Sequence, residues 1–266
     1  MRRVSVDNLC EGMELAKTIY TSDGNILLSA GMRLKSSYIN RFKEMCVTEM
    51  YVEDEISKDI SVDDIIPDQI RFEARVEVRK AMDAIKLGEK LTTRAIRNVV
   101  NNIVDELLYK DNLMINLKDI RSKDDYLFCH SVHVCVLSVI TGLSLGYDQE
   151  KLRQLGIGAM LHDIGKTRIP YEVLDKVGKL TEEEFEIIKK HTTYGYEILR
   201  ESDELSAYSK LIALTHHERY DGKGYPLGIS TDQIHEYSMI VSIADVYDAM
   251  TSDRIYRKRV KISEAI

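Results

Sequence analysis

The chain reads as α+β, with a small β-rich module over residues 1–65 and an all-α domain over residues 66–266. Three observations predict this. Short apolar runs flank a glycine turn near the N-terminus, an acidic stretch closed by Pro67 interrupts the pattern, and beyond it apolar residues recur at helical spacing.

In the first module, residues 13–20 and 26–28 lie on either side of Thr21-Ser22-Asp23-Gly24-Asn25, the composition of a hairpin turn. Ser36 or Ser37 is expected to cap a helix carrying Tyr38, Ile39, Phe42 and Met45, before a last strand through Met50-Tyr51-Val52. Nothing in this module points to catalysis. Residues 53–64 hold more charge than their scattered apolar side chains can offset and read as a linker, which sets a boundary near residue 65. Beyond it, Ile96, Val99, Val100, Ile103, Val104, Leu107 and Leu108 share one helical face behind a cap at Thr92 or Thr93. Helical patterns continue over 126–145, 152–161, 181–200, 205–217 and 234–250.

Composition narrows the function. At 266 residues and 44% hydrophobic content the chain can bury a sizeable core without staples. Cys10, Cys46, Cys129 and Cys135 show no CxxC spacing, and neither a signal peptide nor a long apolar span is evident, so a reducing cytoplasm is the expected compartment. The net charge of -7 argues against a nucleic-acid polymer or a membrane surface as partner. A small anionic substrate would need local positive charge, from metal ions or a few Lys and Arg residues.

The chemistry gathers at Leu161-His162-Asp163-Ile164-Gly165-Lys166, where a run that includes Leu155, Ile157, Ala159 and Met160 ends in an imidazole and a carboxylate. Adjacent helical residues point about 100° apart, so the pair converges only where a helix ends; Gly165 supplies the stop. A second helix end, at His216-His217, is followed by glycines and a proline, Gly222, Gly224 and Pro226. His130 and His191 sit in helical settings, and Asp245 lies inside the apolar run Ile240-Val241-Ser242-Ile243-Ala244. Each alone has an ordinary reading: a core histidine for His130, a cap or surface group for His191, an ion pair for Asp245. Together, seven N and O donors without thiolate exceed the four of a structural zinc site and imply two divalent ions, with Asp163 as the natural bridge.

His162-Asp163-Ile164-Gly165-Lys166 with Ile169-Pro170, then His216-His217-Glu218, Asp221-Gly222 and Gly224-Tyr225-Pro226, resembles the HD-GYP family over roughly residues 100–266. These are bacterial HD-superfamily phosphodiesterases acting on cyclic di-GMP. The resemblance implies a helical HD domain in which His130, His162, Asp163, His191, His216, His217 and Asp245 hold two metals, most readily Fe or Mn. It implies catalytic roles for Asp163 and Lys166, and metal-activated water attack on phosphate giving pGpG and, where cleavage goes further, GMP. Lys166 would contact the phosphate or position the nucleophile, with Asp221, Gly222, Tyr225 and Pro226 shaping the substrate loop. Arg254-Ile255-Tyr256-Arg257 is similar to the family's Arg-Pro-Tyr-Arg stretch, so Arg254 and Arg257 are expected to hold phosphate or guanine.

The chain departs from the family where Tyr126 stands in place of a glutamate associated with a third metal, which favours two ions. His133 reads as a neighbour rather than an eighth ligand, Asp248 as either an orienting group or a cap, Glu218 as a buttress, and His235 as a surface residue. The domain reads as short at its C-terminus. Rival functions are hydrolysis of another cyclic dinucleotide or nucleotide, and a cyclic di-GMP receptor that signals through the N-terminal module. A homodimer or a signalling partner through that module belongs to the same expectation.

Overall fold

The computed structural model describes residues 1–20, 26–44, 47, 49–55, 65–109, 126–176 and 178–251. These fall into two compact units, one of residues up to 65 with 126–129, the other of 66–109 with 130–251.

The first unit holds five short strands, β1 (Arg2–Ser5), β2 (Glu14–Leu15), β3 (Ile19–Tyr20), β4 (Ile26–Leu28) and β5 (Glu49–Glu53), with α1 (Ser36–Glu44) before the last. An antiparallel sheet of order β1-β5-β2 sets Val4 opposite Met50 and Leu15 opposite Val52. All four are buried, together with Ile39 and Phe42 of α1. β3 and β4 pair antiparallel as expected of a hairpin; its turn, and Met45, lie outside the described residues. The β-rich reading holds in reduced form. Strands of two to five residues make a three-stranded sheet and a two-stranded ribbon, because such short apolar runs pair without forming a second layer.

The other unit is helical: α2 (Asp68–Lys86), α3 (Thr93–Leu108), α4 (Tyr126–Ser144) from His130 onward, α5 (Gln149–Leu161), a single turn α6 (Tyr171–Leu174), α7 (Glu182–Lys189), α8 (His191–Arg200), α9 (Ala207–Thr215) and α10 (Glu236–Thr251). α5 runs through its centre. Asp148 caps it by accepting the Lys151 N–H at 2.8 Å, and every residue from Leu155 to Leu161 is buried. At Gly156 an added Cβ would meet Val100 of α3 at 2.8 Å and Val139 of α4 at 3.1 Å, so the missing side chain lets both helices close on α5. α9 packs on it as well. Residues 127–144 of α4 are long and apolar enough to cross a membrane, yet 72% of that stretch is buried inside the protein, as a core helix is.

The structure departs from the periodicity in four places. α2 was not singled out by the sequence pattern. Leu108 is 38% exposed because it follows Leu107 by 100° and so leaves the buried stripe. His235 is half-buried, stacked 4.4 Å from Tyr208, with Nδ1 accepting the Tyr237 N–H at 3.1 Å; the buried Tyr237 draws it in. The continuous pattern over 181–200 breaks at Lys190 into α7 and α8. A capping box starts α7, with Thr181 Oγ1 accepting the Glu184 N–H and Glu184 Oε2 the Thr181 N–H. At its end the Thr192 and Thr193 hydroxyls donate to the Lys189 and Lys190 carbonyls, each at 2.9 Å, which competes with the regular helical ladder.

Candidate metal centre

Two helix ends deliver adjacent donors. α5 stops at Leu161; His162 keeps helical angles, Asp163 leaves them at φ −99° and ψ 8°, and Ile164–Arg168 winds a 3-10 turn. Gly165 makes that turn possible. A Cβ there would lie 1.9 Å from the His191 carbonyl oxygen and 2.4 Å from the Gly195 nitrogen, so the turn rests directly on α8. α9 ends in the same manner, with His216 as a helical C-cap and His217 after it.

Asp163 sits in the middle, fully enclosed. Its Oδ2 lies 2.5 Å from Lys166 Nζ, 3.3 Å from His162 Nε2 and 3.8 Å from His130 Nε2. Its Oδ1 lies 3.5 Å from His191 Nε2 and 3.9 Å from His216 Nε2. Each oxygen therefore faces a different set of donors. On one side are His130, His162 and Asp245, with Asp245 Oδ1 3.0 Å from His130 Nε2; on the other are His191, His216 and His217; and His162, Asp163 and His216 lie between. Within each set the donor atoms are no more than 4.8 Å apart.

Most of these imidazoles are aimed by a partner on Nδ1. Backbone carbonyls of Ala159 and Ile188 meet His162 and His191 at 2.7 Å, and those of Ile212 and Ala213 meet His216 at 3.1 Å. For His130 the partner is Asp248, at 2.7 Å, whose second oxygen meets His133 Nδ1 at 2.9 Å. Asp248 is thus a buried orienting group, and His133 packs beside the centre on the same carboxylate. This is the arrangement that fixes the tautomer and direction of a metal-binding histidine.

Electrostatics keep several donors ready. Burial, with neighbouring imidazoles, pushes His191 down to about 4, His217 to about 3 and His216 well below its ordinary value, so all three are neutral near pH 7. Burial favours the neutral acid at Asp163, yet Lys166 and His162 outweigh it and hold the carboxyl well below its usual range. At His130 burial is overcome by hydrogen bonds to Asp245 and Asp248, which raise it to about 9; a metal ion held at Nε2 would take the place of that proton.

The residues fit metal. His162 Nε2 and Asp163 Oδ1 are buried and make no hydrogen bond, which is costly for polar atoms unless something coordinates them. Imidazole and carboxylate, with no thiolate in the sets, suit Fe, Mn, Co, Ni or Zn.

A loop rises beside the centre. Glu218 is buried and its carboxylate accepts N–H groups from Leu227 at 2.6 Å, Gly228 at 3.1 Å and Ile229 at 3.2 Å, which makes it the latch of the loop. At Gly224 a Cβ would strike Arg219, Glu218 and His217 backbone at 2.4–2.6 Å, so only glycine lets the chain double back there. The Tyr225 N–H then donates to the His217 carbonyl at 3.2 Å, and its ring stacks 4.8 Å from the His217 imidazole. Pro226 follows Tyr225 at the exposed edge. Asp221 is engaged within the turn: Arg219 Nε and Nη2 donate to it at 3.0 Å each and the Lys223 N–H at 3.1 Å, drawing its pKa down to about 2. Gly222 takes a left-handed φ of 70° in that turn. Arg254, Arg257 and the Tyr126 side chain lie outside the described residues. Phe185 and Lys189 of α7, which flank the Tyr225 ring, escaped the sequence reading; an apolar residue followed four positions on by a lysine is ordinary amphipathic patterning.

An HD domain family model matches residues 112–266. A cyclic di-GMP phosphodiesterase of Pseudomonas aeruginosa is 36% identical over 181 residues, which are 68% of this chain and 44% of that protein. One of Thermotoga maritima is 43% identical over 137 residues, 51% of this chain and 37% of that protein. A 3'3'-cGAMP-specific phosphodiesterase of Vibrio cholerae is 34% identical over 149 residues, 56% of this chain and 32% of that protein. The chain spans less than half the length of these curated relatives. Among solved structures, an HDGYP protein from Bdellovibrio bacteriovorus shares the fold at TM-score 0.58 and 17% identity, covering 99% of this chain and 91% of that one. With the paired histidine and aspartate motifs in place and the family model extending over more than half its length, the chain belongs to the HD domain family.

Proposed function

We propose that the chain is a metal-dependent phosphodiesterase that hydrolyses cyclic di-GMP to linear pGpG, with onward cleavage to GMP a matter for measurement. The observation that carries this reading is the Asp163 carboxylate, with one oxygen toward each of two donor sets. It supports a pair of ions, Fe or Mn, shared through Asp163, one held by His130, His162 and Asp245, the other by His191, His216 and His217. Ions bound there would activate a water and polarise the phosphate.

The chain's own groups perform the remaining tasks. Lys166 Nζ, partly exposed beside Asp163, offers positive charge to the phosphate on a protein of net charge -7. Asp248 and the carbonyls behind the imidazoles hold the donors in place. Tyr225 is seated on His217 beside the centre, and Arg254 and Arg257 keep their expected role at phosphate or guanine. The relatives named as cyclic di-GMP phosphodiesterases support this substrate. A cytoplasmic location and a homodimer or signalling partner through the N-terminal module complete the proposal.

One observation favours a second reading: relatives at 34 and 36% identity are named for 3'3'-cGAMP. The deciding experiment is metal analysis of anaerobically purified protein, paired with single-turnover assays on cyclic di-GMP and 3'3'-cGAMP and chromatography of the products. Two metals per chain and pGpG are expected. Turnover of 3'3'-cGAMP alone would transfer the proposal to that substrate, and tight binding without product would make the chain a receptor.

A further inference from the structure

Among the histidines of the centre, His217 is held differently from the rest. His130, His162, His191 and His216 each have an Nδ1 partner, an aspartate or a backbone carbonyl at 2.7–3.1 Å. Among the described residues His217 has no hydrogen bond on either ring nitrogen. It is also the partly exposed member of its donor set, where the others are buried. A free imidazole turns about two side-chain torsions, and each orientation away from the ion costs affinity.

Rings surround the His217 imidazole: the fellow donors His216, tilted at 4.1 Å, and His191, edge-on at 5.1 Å, and from outside the donor set Tyr225. Tyr225 stacks on it at 4.8 Å and 30°. Tyr225 in turn meets Phe185 edge-on at 6.2 Å, and the Lys189 ammonium lies 5.4 Å from the Phe185 ring centroid and 5.8 Å from that of Tyr225. Phe185 and Lys189 are one turn apart on α7, so a single helix face supplies both contacts. Both separations lie within the range of a cation over an aromatic ring. Lys189 also pairs with Glu186 on the same helix.

We infer that the stack Tyr225–Phe185–Lys189 is the orienting partner of His217, filling the role that a hydrogen bond fills for the other histidines, and that Phe185 and Lys189 are positioning residues for the metal centre. This rests on the proposed metal-dependent function, but its readouts need no substrate. Lys189 does its work through Tyr225, and Tyr225 through His217.

The test uses Mn2+ alone. Calorimetric titration of the full chain should show binding at one of two sites weakened about tenfold by Tyr225→Leu, in the range seen when outer partners of metal-binding histidines are removed. Tyr225→Phe, which keeps the ring, should stay within about twofold, as should Lys189→Arg, which keeps a cation over the rings. Lys189→Met and Phe185→Leu should each weaken the same site, and Lys189→Met should add nothing in the Tyr225→Leu background. Because the chain has no tryptophan, Tyr225→Trp gives a single indole, and acrylamide should quench it at least about twofold more readily once Lys189→Met is added. Affinity unchanged by Tyr225→Leu in a normally folded protein, additive losses in the double variant, or quenching indifferent to Lys189→Met would each overturn the inference. No Mn2+ binding by the unmodified protein would overturn both this and the proposed function, whereas binding without turnover overturns the function alone.

Discussion

Asp163 has two oxygens with different neighbours, and its removal separates coordination from mere packing. Asp163→Asn keeps the size and takes away the charge. It should leave an amide nitrogen facing imidazole nitrogens where a carboxylate oxygen stood, and it should lose one metal by elemental analysis. Turnover is expected to fall about a thousandfold, the loss of several kcal/mol of charge stabilisation. An Asn variant with both metals and unchanged rate would sink the bridging role. Glu218 makes a different prediction. Glu218→Gln has one acceptor oxygen for the three N–H groups of residues 227–229, so urea denaturation should show a loss of about 1–3 kcal/mol. These residues differ in how readable they were. His162-Asp163 and His216-His217 announced themselves because helix-stopping residues follow each pair, and Asp245 because a carboxylate in an apolar run needs a partner. Asp248 stood out only as an i+3 neighbour of Asp245; its bond to His130 joins α10 to α4 across 118 positions, which no local spacing reports.

Elements bring the donors together through glycine contacts, and the glycines are not equivalent. At Gly165 a methyl group would meet the His191 carbonyl and the Gly195 nitrogen, both backbone and both fixed by α8. At Gly156 it would meet the ends of Val100 and Val139, which can turn, and alanine gains about 1 kcal/mol of helix propensity there. Thermal and urea unfolding should therefore show Gly165→Ala destabilised by about 3 kcal/mol or more, at the upper end of overpacking costs, and Gly156→Ala by clearly less. Equal losses would mean that α8 can shift to admit the methyl group. The site depends on that fixed contact, because α8 begins at His191. Here the sequence was least explicit: apolar spacing over 181–200 continues smoothly through the break, and only the tandem Thr192-Thr193 hints that hydroxyls take carbonyls from the ladder. Caps were no easier to read than the kink, for the sequence pattern pointed to Thr92 or Thr93 and singled out neither Thr181 nor Ser206. Thr181 and Ser206 each precede their helix and accept its N–H groups, whereas Thr92 stands at the cap position of α3 without a side-chain bond.

For the whole molecule, periodicity distinguished strand-like from helical residues, yet it could not say that α5 would be the helix the others surround; that follows from contacts distant in sequence, such as Gly156 with Val100 and Gly158 with Ile212. The burial of α5 sets the unit's dependence on metal. Its C-terminal end places His162 and Asp163 where water does not reach, and two of their polar atoms lack hydrogen bonds. A cation that binds this folded arrangement and not the unfolded chain must stabilise it by linkage, by about 4 kcal/mol for each site held at a thousand times its dissociation constant. In a helical unit of this size that is a rise of roughly 10 °C in the unfolding temperature. Circular dichroism at 222 nm should therefore show the melting of chelator-treated protein move upward as Mn2+ is added, with the shift growing logarithmically in free metal. Asp163→Asn should lose about half of that shift, in keeping with the loss of one of the two metals, while Lys166→Met should keep it, because Lys166 is no ligand. A melting temperature indifferent to metal would mean that the buried donors satisfy one another without an ion, and the phosphodiesterase reading would lose its physical basis.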